Sequence, residues 1–224
     1  MKTIKLFCLP FLIIGLFFSC SILFQSCEPD DCEEEEETCD TCIMVLKPNI
    51  YIYPEEEINL NVTLEFPKGG KVVVSIPEYG NGWDISVDKQ GKINDEFDYL
   101  FYESSQPDVW QLEEGWVITR AYLYDFFVEN MSEFGFVGRE IQDFTDYWIP
   151  RLTASEFYAI YPQDKQIIDR VIELNTSKEP DNILRLFYVI QETDEQTNTN
   201  LTEPKIEPFK REGFFITEWG VVLK

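Results

Sequence analysis

The 224-residue chain contains no histidine, which narrows the chemistry its side chains can do. Imidazole general bases, Ser-His-Asp triads and His-containing metal sites are all excluded. Carboxylates are plentiful instead, with 42 Asp and Glu against 18 Lys and Arg, for a formal charge of −24. Two carboxylates in an aromatic cleft can hydrolyse a glycosidic bond when about 5–5.5 Å or about 6.5–9.5 Å apart. Glu103, Glu140, Asp143 and Glu218 are the catalytic candidates of this kind, because aromatic residues flank each of them. With 42 acids in the chain, such neighbours also arise by chance. Ser86-Val87-Asp88-Lys89 has S-x-x-K spacing, but its companion motifs are missing and it reads as a strand end and turn. Gly80-Asn81-Gly82 is too short for a phosphate loop, and no Asp-rich loop has calcium-binding spacing. Neither a cofactor nor a metal is expected.

The six cysteines sit at the N-terminal end. Cys39-x-x-Cys42 has the spacing of a metal half-site or a redox pair, yet zinc would need about two further Cys or His ligands. A local disulfide between Cys39 and Cys42 is the plainer expectation in an oxidising compartment. Aromatic residues are the other chemical resource. Tyr79, Trp83, Tyr102, Trp110 and Trp116 are candidates for stacking on sugar faces or anchoring a protein partner, against the alternative that they are core.

An address and a scaffold must position these groups. Lys2 and Lys5 precede an apolar run over residues 6–24, and an acidic tract with no basic flank follows it. That order marks a signal peptide rather than a membrane span. The run ends Leu23-Phe24-Gln25-Ser26-Cys27, which resembles a bacterial lipobox, so residues 1–26 are expected to be removed and Cys27 lipidated. Cys20, after Ser19, is the competing position. Residues 28–40 carry nine acids and no base, resembling the surface-export signal of Bacteroidetes lipoproteins. Residues 27–42 then form a lipidated, acidic, Cys-containing tether. The expected location is the outer membrane, facing outward, with the periplasmic face or secretion as alternatives. The membrane is a partner through the lipid anchor. The acidic surface argues against nucleic acid.

Residues 43–224 are expected to form a single domain. Residues 44–54 open it as a strand, with Ile50 and Ile52 on one face and Tyr51 and Tyr53 on the other, as packing residues. Residues 58–66 alternate cleanly and are expected to form a hairpin with residues 71–76. Trp83, Ile85 and Val87 alternate in another strand; 97–102 and 116–120 are further strands, with 104–108 a loop. Leu123, Phe126, Phe127, Asn130 and Met131 have helical spacing, stopped by Gly135. A second helix is expected over 138–147, its apolar stripe Ile141, Phe144, Thr145 and Trp148. Strands return at 156–161, 170–174, 184–190 and 214–223, with a helical turn at 164–169 and a polar loop at 192–202. Residues 170–174 and 184–190 are expected to pair, and Arg120 to meet a buried acid. The order implies α+β, mainly antiparallel sheet with two central helices; a β-sandwich with a helical insertion is the alternative.

Five blocks carry a family resemblance. They are Lys47-Pro48-x-Ile50-Tyr51-x-Tyr53-Pro54, Tyr79-x-Asn81-Gly82-Trp83, Tyr99 to Glu103, Asp143-Phe144-x-x-Tyr147-Trp148-x-Pro150, and Arg211 to Gly220. In that order they resemble a widespread, mostly bacterial, uncharacterised family of exported proteins with a KPxIYxYP opening. Val221 stands where such proteins often have a second glycine. The resemblance implies one shared domain and no particular activity. The expected function is a surface lipoprotein with a glycan- or protein-binding domain. An envelope structural or assembly role, or a carboxylate-dependent hydrolase, is the alternative.

Overall fold

A strand that is apolar on both faces must be covered on both sides. The segment with Ile50, Tyr51, Ile52 and Tyr53 has that character, and its strand lies inside the larger of two sheets. The computed structural model describes residues 42–194 and 201–224. The signal segment, Cys20, Cys27, the acidic tract, Cys39 and most of the polar 192–202 stretch lie outside the described residues. Cys42 is disulfide-bonded.

The described strands are β1 (Cys42–Tyr53), β2 (Ile58–Glu65), β3 (Lys71–Ile76), β4 (Trp83–Val87), β5 (Leu100–Pro107), β6 (Trp116–Thr119), β7 (Phe157–Asp164), β8 (Glu173–Thr176), β9 (Asn182–Thr193) and β10 (Phe215–Leu223). The helices are α1 (Leu123–Phe134), α2 (Arg139–Trp148) and the single turn α3 (Lys165–Ile168). The larger sheet has the order β3-β5-β1-β10-β9-β7-β6, and the smaller one β4-β2-β8. Among the described strands only β9 and β10 pair in parallel. The fold is α+β, with two mostly antiparallel sheets and a short helical pair rather than a closed sandwich.

Alternation assigns each strand's side chains to one of two cores. Ile50, Ile52, Phe187, Val189 and Ile216 meet Leu60, Val62, Trp83 and Ile85 of the smaller sheet. Tyr51, Leu186, Tyr188, Trp219 and Val221 meet Phe127, Met131, Phe144 and Trp148 of the helices. The helix stripes are those the spacing predicts, except that Phe126 is only half-buried and Glu140 is fully buried. Gly135 ends α1 in the left-handed region, with φ 109°.

Four expectations fail. β2 does not form a hairpin with β3; it joins β4 and β8, while β3 pairs with β5. The linker lies flat on β5: a Cβ at Gly70 would come 2.5 Å from the Ser105 carbonyl. That close approach carries the chain from one sheet to the other. β8 and β9 do not pair with each other either. β9 is buried on both faces and takes the interior place between β7 and β10, while the short β8 edges the smaller sheet. Residues 104–107 continue β5 rather than looping, because they pair with β1; inside the sheet Ser104 donates to Gln106, whose amide donates to the Ile43 carbonyl. Arg120 is exposed and donates to the Thr153 carbonyl at 2.8 Å instead of meeting a buried acid.

Candidate functional site

The site begins with an irregularity in β1. Ile43 and Val45 face the inter-sheet core and Leu46 the helix-side core, yet Ile50 and Ile52 again face the inter-sheet core. Strict alternation would place Leu46 and Ile50 on one face. One inserted residue reconciles them. Val45 and Asn49 pair with Ser104 and Phe101 of β5, and Leu46 and Asn49 with Val221 and Trp219 of β10. The insertion falls at Lys47-Pro48, where Lys47 has φ 56°. That left-handed conformation costs a non-glycine residue about 1–2 kcal/mol. A bulge of this kind re-aims a side chain, and the one re-aimed here is Lys47.

The Lys47 ammonium lies 4.6 Å from the ring centres of both Tyr99 and Phe101, 5.6 Å from Tyr147 and 6.0 Å from Trp219. It donates to Asn49 Oδ1 at 2.8 Å and to the Tyr99 hydroxyl at 3.4 Å. Among the described residues no carboxylate forms an ion pair with it. Burial lowers its pKa to about 8, against a longer-range upward pull from Asp143 and Glu103. Beside it the Tyr51 hydroxyl donates to Asp143 Oδ2 at 2.9 Å. Burial raises the Asp143 carboxyl, with the Tyr51 hydrogen bond opposing that shift. Burial and then the Asp143 charge push the Tyr51 phenol up, so it stays neutral.

Lys47 opens into a cleft of about 330 Å³, lined also by Ile76, Glu96, Phe97, Asp98, Tyr99 and Phe101. Asp98 is held on the rim by Arg139 at 2.6 Å and Lys92 at 3.1 Å. The β3 edge beside the cleft is left open. Val74 and Ile76, register partners of Glu103 and Phe101, are 45% and 54% exposed. A second, larger concavity of about 450 Å³ lies on the outer face of the smaller sheet, between Asn59, Asn61, Asp84, Ser86 and Asn94. It is shallow and holds no cation or aromatic ring, and its polar groups bond to one another: Asn61 to Asp84, and Ser86 to Asn94. Charge, ring faces and depth all favour the Lys47 cleft.

The four candidate acids do not gather at one place. Glu218 is buried on the inter-sheet face with Arg185 and Tyr102, whose hydroxyl donates to it at 2.7 Å. Glu140 is buried on the helix side. It accepts from Arg211 through two bonds of 3.0 Å, from Thr217 at 2.8 Å and from the Val137 amide at 2.9 Å. Both carboxylates are fully engaged within the protein. Glu103 and Asp143 are the two that act on Lys47.

The candidate binding aromatics also scatter. Trp83, Tyr102 and Trp110 are buried in the inter-sheet core and offer no ring face to a ligand. Tyr79 packs edge-on against Trp83 and clamps the Leu64 amide and carbonyl through its hydroxyl. Trp116 is half-buried against Phe126. Sequence reasoning missed the site role of Lys47, Asn49, Tyr99, Phe101 and Tyr147. The available signal was Lys47 itself, a lone cation followed by proline within an apolar strand. Among the described residues no group of three or more His, Cys, Asp or Glu side chains could hold a metal ion.

Compared with family models, curated protein sequences and solved structures, the chain shows no significant match.

Proposed function

We propose that the chain is a surface lipoprotein whose domain binds a glycan or protein ligand, and that the ligand docks in the Lys47 cleft. One observation carries this reading: a mostly buried cation with no ion-pair partner among the described residues is aimed by a strained bulge into an aromatic-walled, half-open cleft. An isolated charge taken out of water is costly unless something pairs with it. A backbone distortion that sustains such an arrangement is a mark of function. Four of the five sequence blocks meet here, through Lys47, Tyr99 to Glu103, Asp143 with Tyr147, and Trp219. Lipidation at Cys27 and the acidic tether would hold the domain at the outer membrane. Glu140 and Glu218 are disfavoured as a hydrolytic pair, because they are sealed on opposite faces of the larger sheet.

The test is a glycan array and a cell-envelope pull-down, each run with the wild type, Lys47→Met and Phe101→Ala. A retained ligand that both variants lose supports the proposal. A ligand that binds all three proteins equally places binding elsewhere, and blank results with every probe reject the binding role.

A further inference from the structure

This inference rests on the binding role of the cleft and concerns what occupies it. From the chemistry of its walls, we infer that the group seated on Lys47 is the carboxylate of an acidic sugar residue.

Three features select that class. The first is the cation. Lys47 has three N–H donors, and its two hydrogen-bond acceptors are neutral oxygens, on Asn49 and Tyr99. A carboxylate would supply both the missing charge and the third acceptor. The second is the pair of ring faces: the Tyr99 and Phe101 ring centres are equally close to the ammonium, at 4.6 Å. A flat, C–H-rich sugar face can stack on such rings while its acid group reaches the amine. The third is the rim. Glu96 and Asp98 line the opening, and Arg139 and Lys92 hold Asp98 in place. Carboxylates there accept hydrogen bonds from sugar hydroxyls and repel a ligand with several negative charges. One cation inside and acceptors outside match a ligand with one acid group and many hydroxyl donors.

A peptide is the other macromolecular candidate, and the neighbouring strand argues against it. β3 is the edge strand beside the cleft, where an extended peptide would add to the sheet. Its register slips between Val72 and Val74, a bulge that interrupts the edge. Bulged edges are a common means of preventing strand addition. The cleft volume of about 330 Å³ is at the small end for ligand pockets and suits a single ring better than a side-chain array.

The experiment is calorimetric titration of the purified full chain with glucuronate, galacturonate and N-acetylneuraminate. Glucose, galactose and N-acetylglucosamine serve as neutral probes, and a short acidic peptide as the competing class. At pH 6.5 an acidic sugar should bind about tenfold or more tightly than its neutral counterpart, a difference of about 1.4 kcal/mol. Lys47→Met should abolish that preference without loss of fold, checked by thermal melting, and Lys47→Arg should keep part of it. The preference should also fade at pH well above 8, where the free amine is neutral. Equal binding of acidic and neutral sugars, or a preference that survives in Lys47→Met, overturns the assignment. Peptide binding without uronate binding overturns it in favour of the protein class. If neutral sugars bind and Phe101→Ala abolishes that binding, the cleft remains a binding site and only the acid assignment fails. If no probe binds and the array is blank, the binding role fails as well.

Discussion

The larger sheet carries charged clusters on both faces, and those around Arg185 and Lys47 differ in whether their charges are matched. On the inter-sheet face, Arg185 of β9 sits beside its register partner Glu218 of β10, and the Arg185 Nε donates to that carboxylate. Arg185 Nη1 reaches Asp169 at 2.7 Å and the Ile172 carbonyl at 2.6 Å, and Tyr102 donates to Glu218. The side chains of Arg185 and Glu218 have no exposure at all. Burial opposes the guanidinium charge, but Glu218 outweighs it and raises the pKa overall. On the helix-side face Lys47 has neutral acceptors, four rings and an opening to solvent. A matched and sealed cluster fixes how strands pair. An unmatched, half-open cluster leaves an electrostatic deficit for a ligand to fill.

The largest test of this contrast is Glu218→Gln. Removing one partner of a buried pair leaves the other charge uncompensated, so we expect a loss of about 3–5 kcal/mol in chemical denaturation. The double change Arg185→Met with Glu218→Leu should cost less than that single change, since nothing charged then remains buried. A single-variant loss below about 1 kcal/mol would show that the network is not sealed and would dissolve the comparison.

Glu140→Gln gives a middle case. This carboxylate is buried, but its partner Arg211 is 22% exposed and stacks over Tyr53 and Phe215. Arg211 can therefore regain water when the charge is removed, and the expected loss is about 1.5–3 kcal/mol. A cost equal to that of Glu218→Gln would mean that solvent access of the partner does not set the penalty.

The sequence revealed what depends on local periodicity. Alternation located β1, β2 and β4 and sorted Ile50 and Ile52 from Tyr51 and Tyr53. Helical spacing located α1 and α2, and even the left-handed stop at Gly135. It did not reveal what depends on partners distant in sequence. β2 and β3 look like a hairpin because they are adjacent, but Gly70 takes the chain onto the other sheet. The site was hidden for a related reason. Trp83 and Tyr102 have the residue type of a binding platform but face the core, while the rings that surround Lys47 come from β5 and the residue before it, α2 and β10. Nor does alternation foresee its own interruption, and the extra residue at Lys47-Pro48 is what turns a strand residue toward the cleft.

The smallest effect, and the one most specific to the contrast, is that of Lys47→Met. At neutral pH the variant should stay within about 1 kcal/mol of the wild type, since the rings already offset much of the burial penalty of a half-open amine. The pH dependence should separate the two proteins more clearly. Burial holds the native amine down to about 8, against an ordinary value of 10.5 in the unfolded chain. Between those values the unfolded chain keeps the Lys47 proton and the native protein releases it, so wild-type stability gains with rising pH. Below about pH 8 both states are protonated and the native state carries the net penalty of a charged, mostly buried amine. Methionine has no proton to release. The stability of the variant relative to the wild type should therefore be greatest below pH 8, fall through the window from about 8 to 10.5, and level off above it. Urea denaturation of both proteins at matched pH values measures that difference directly. A flat difference across the window would mean that a carboxylate, Asp143 or Glu103, pairs with Lys47 in solution; the cluster would then be as matched as the one around Arg185.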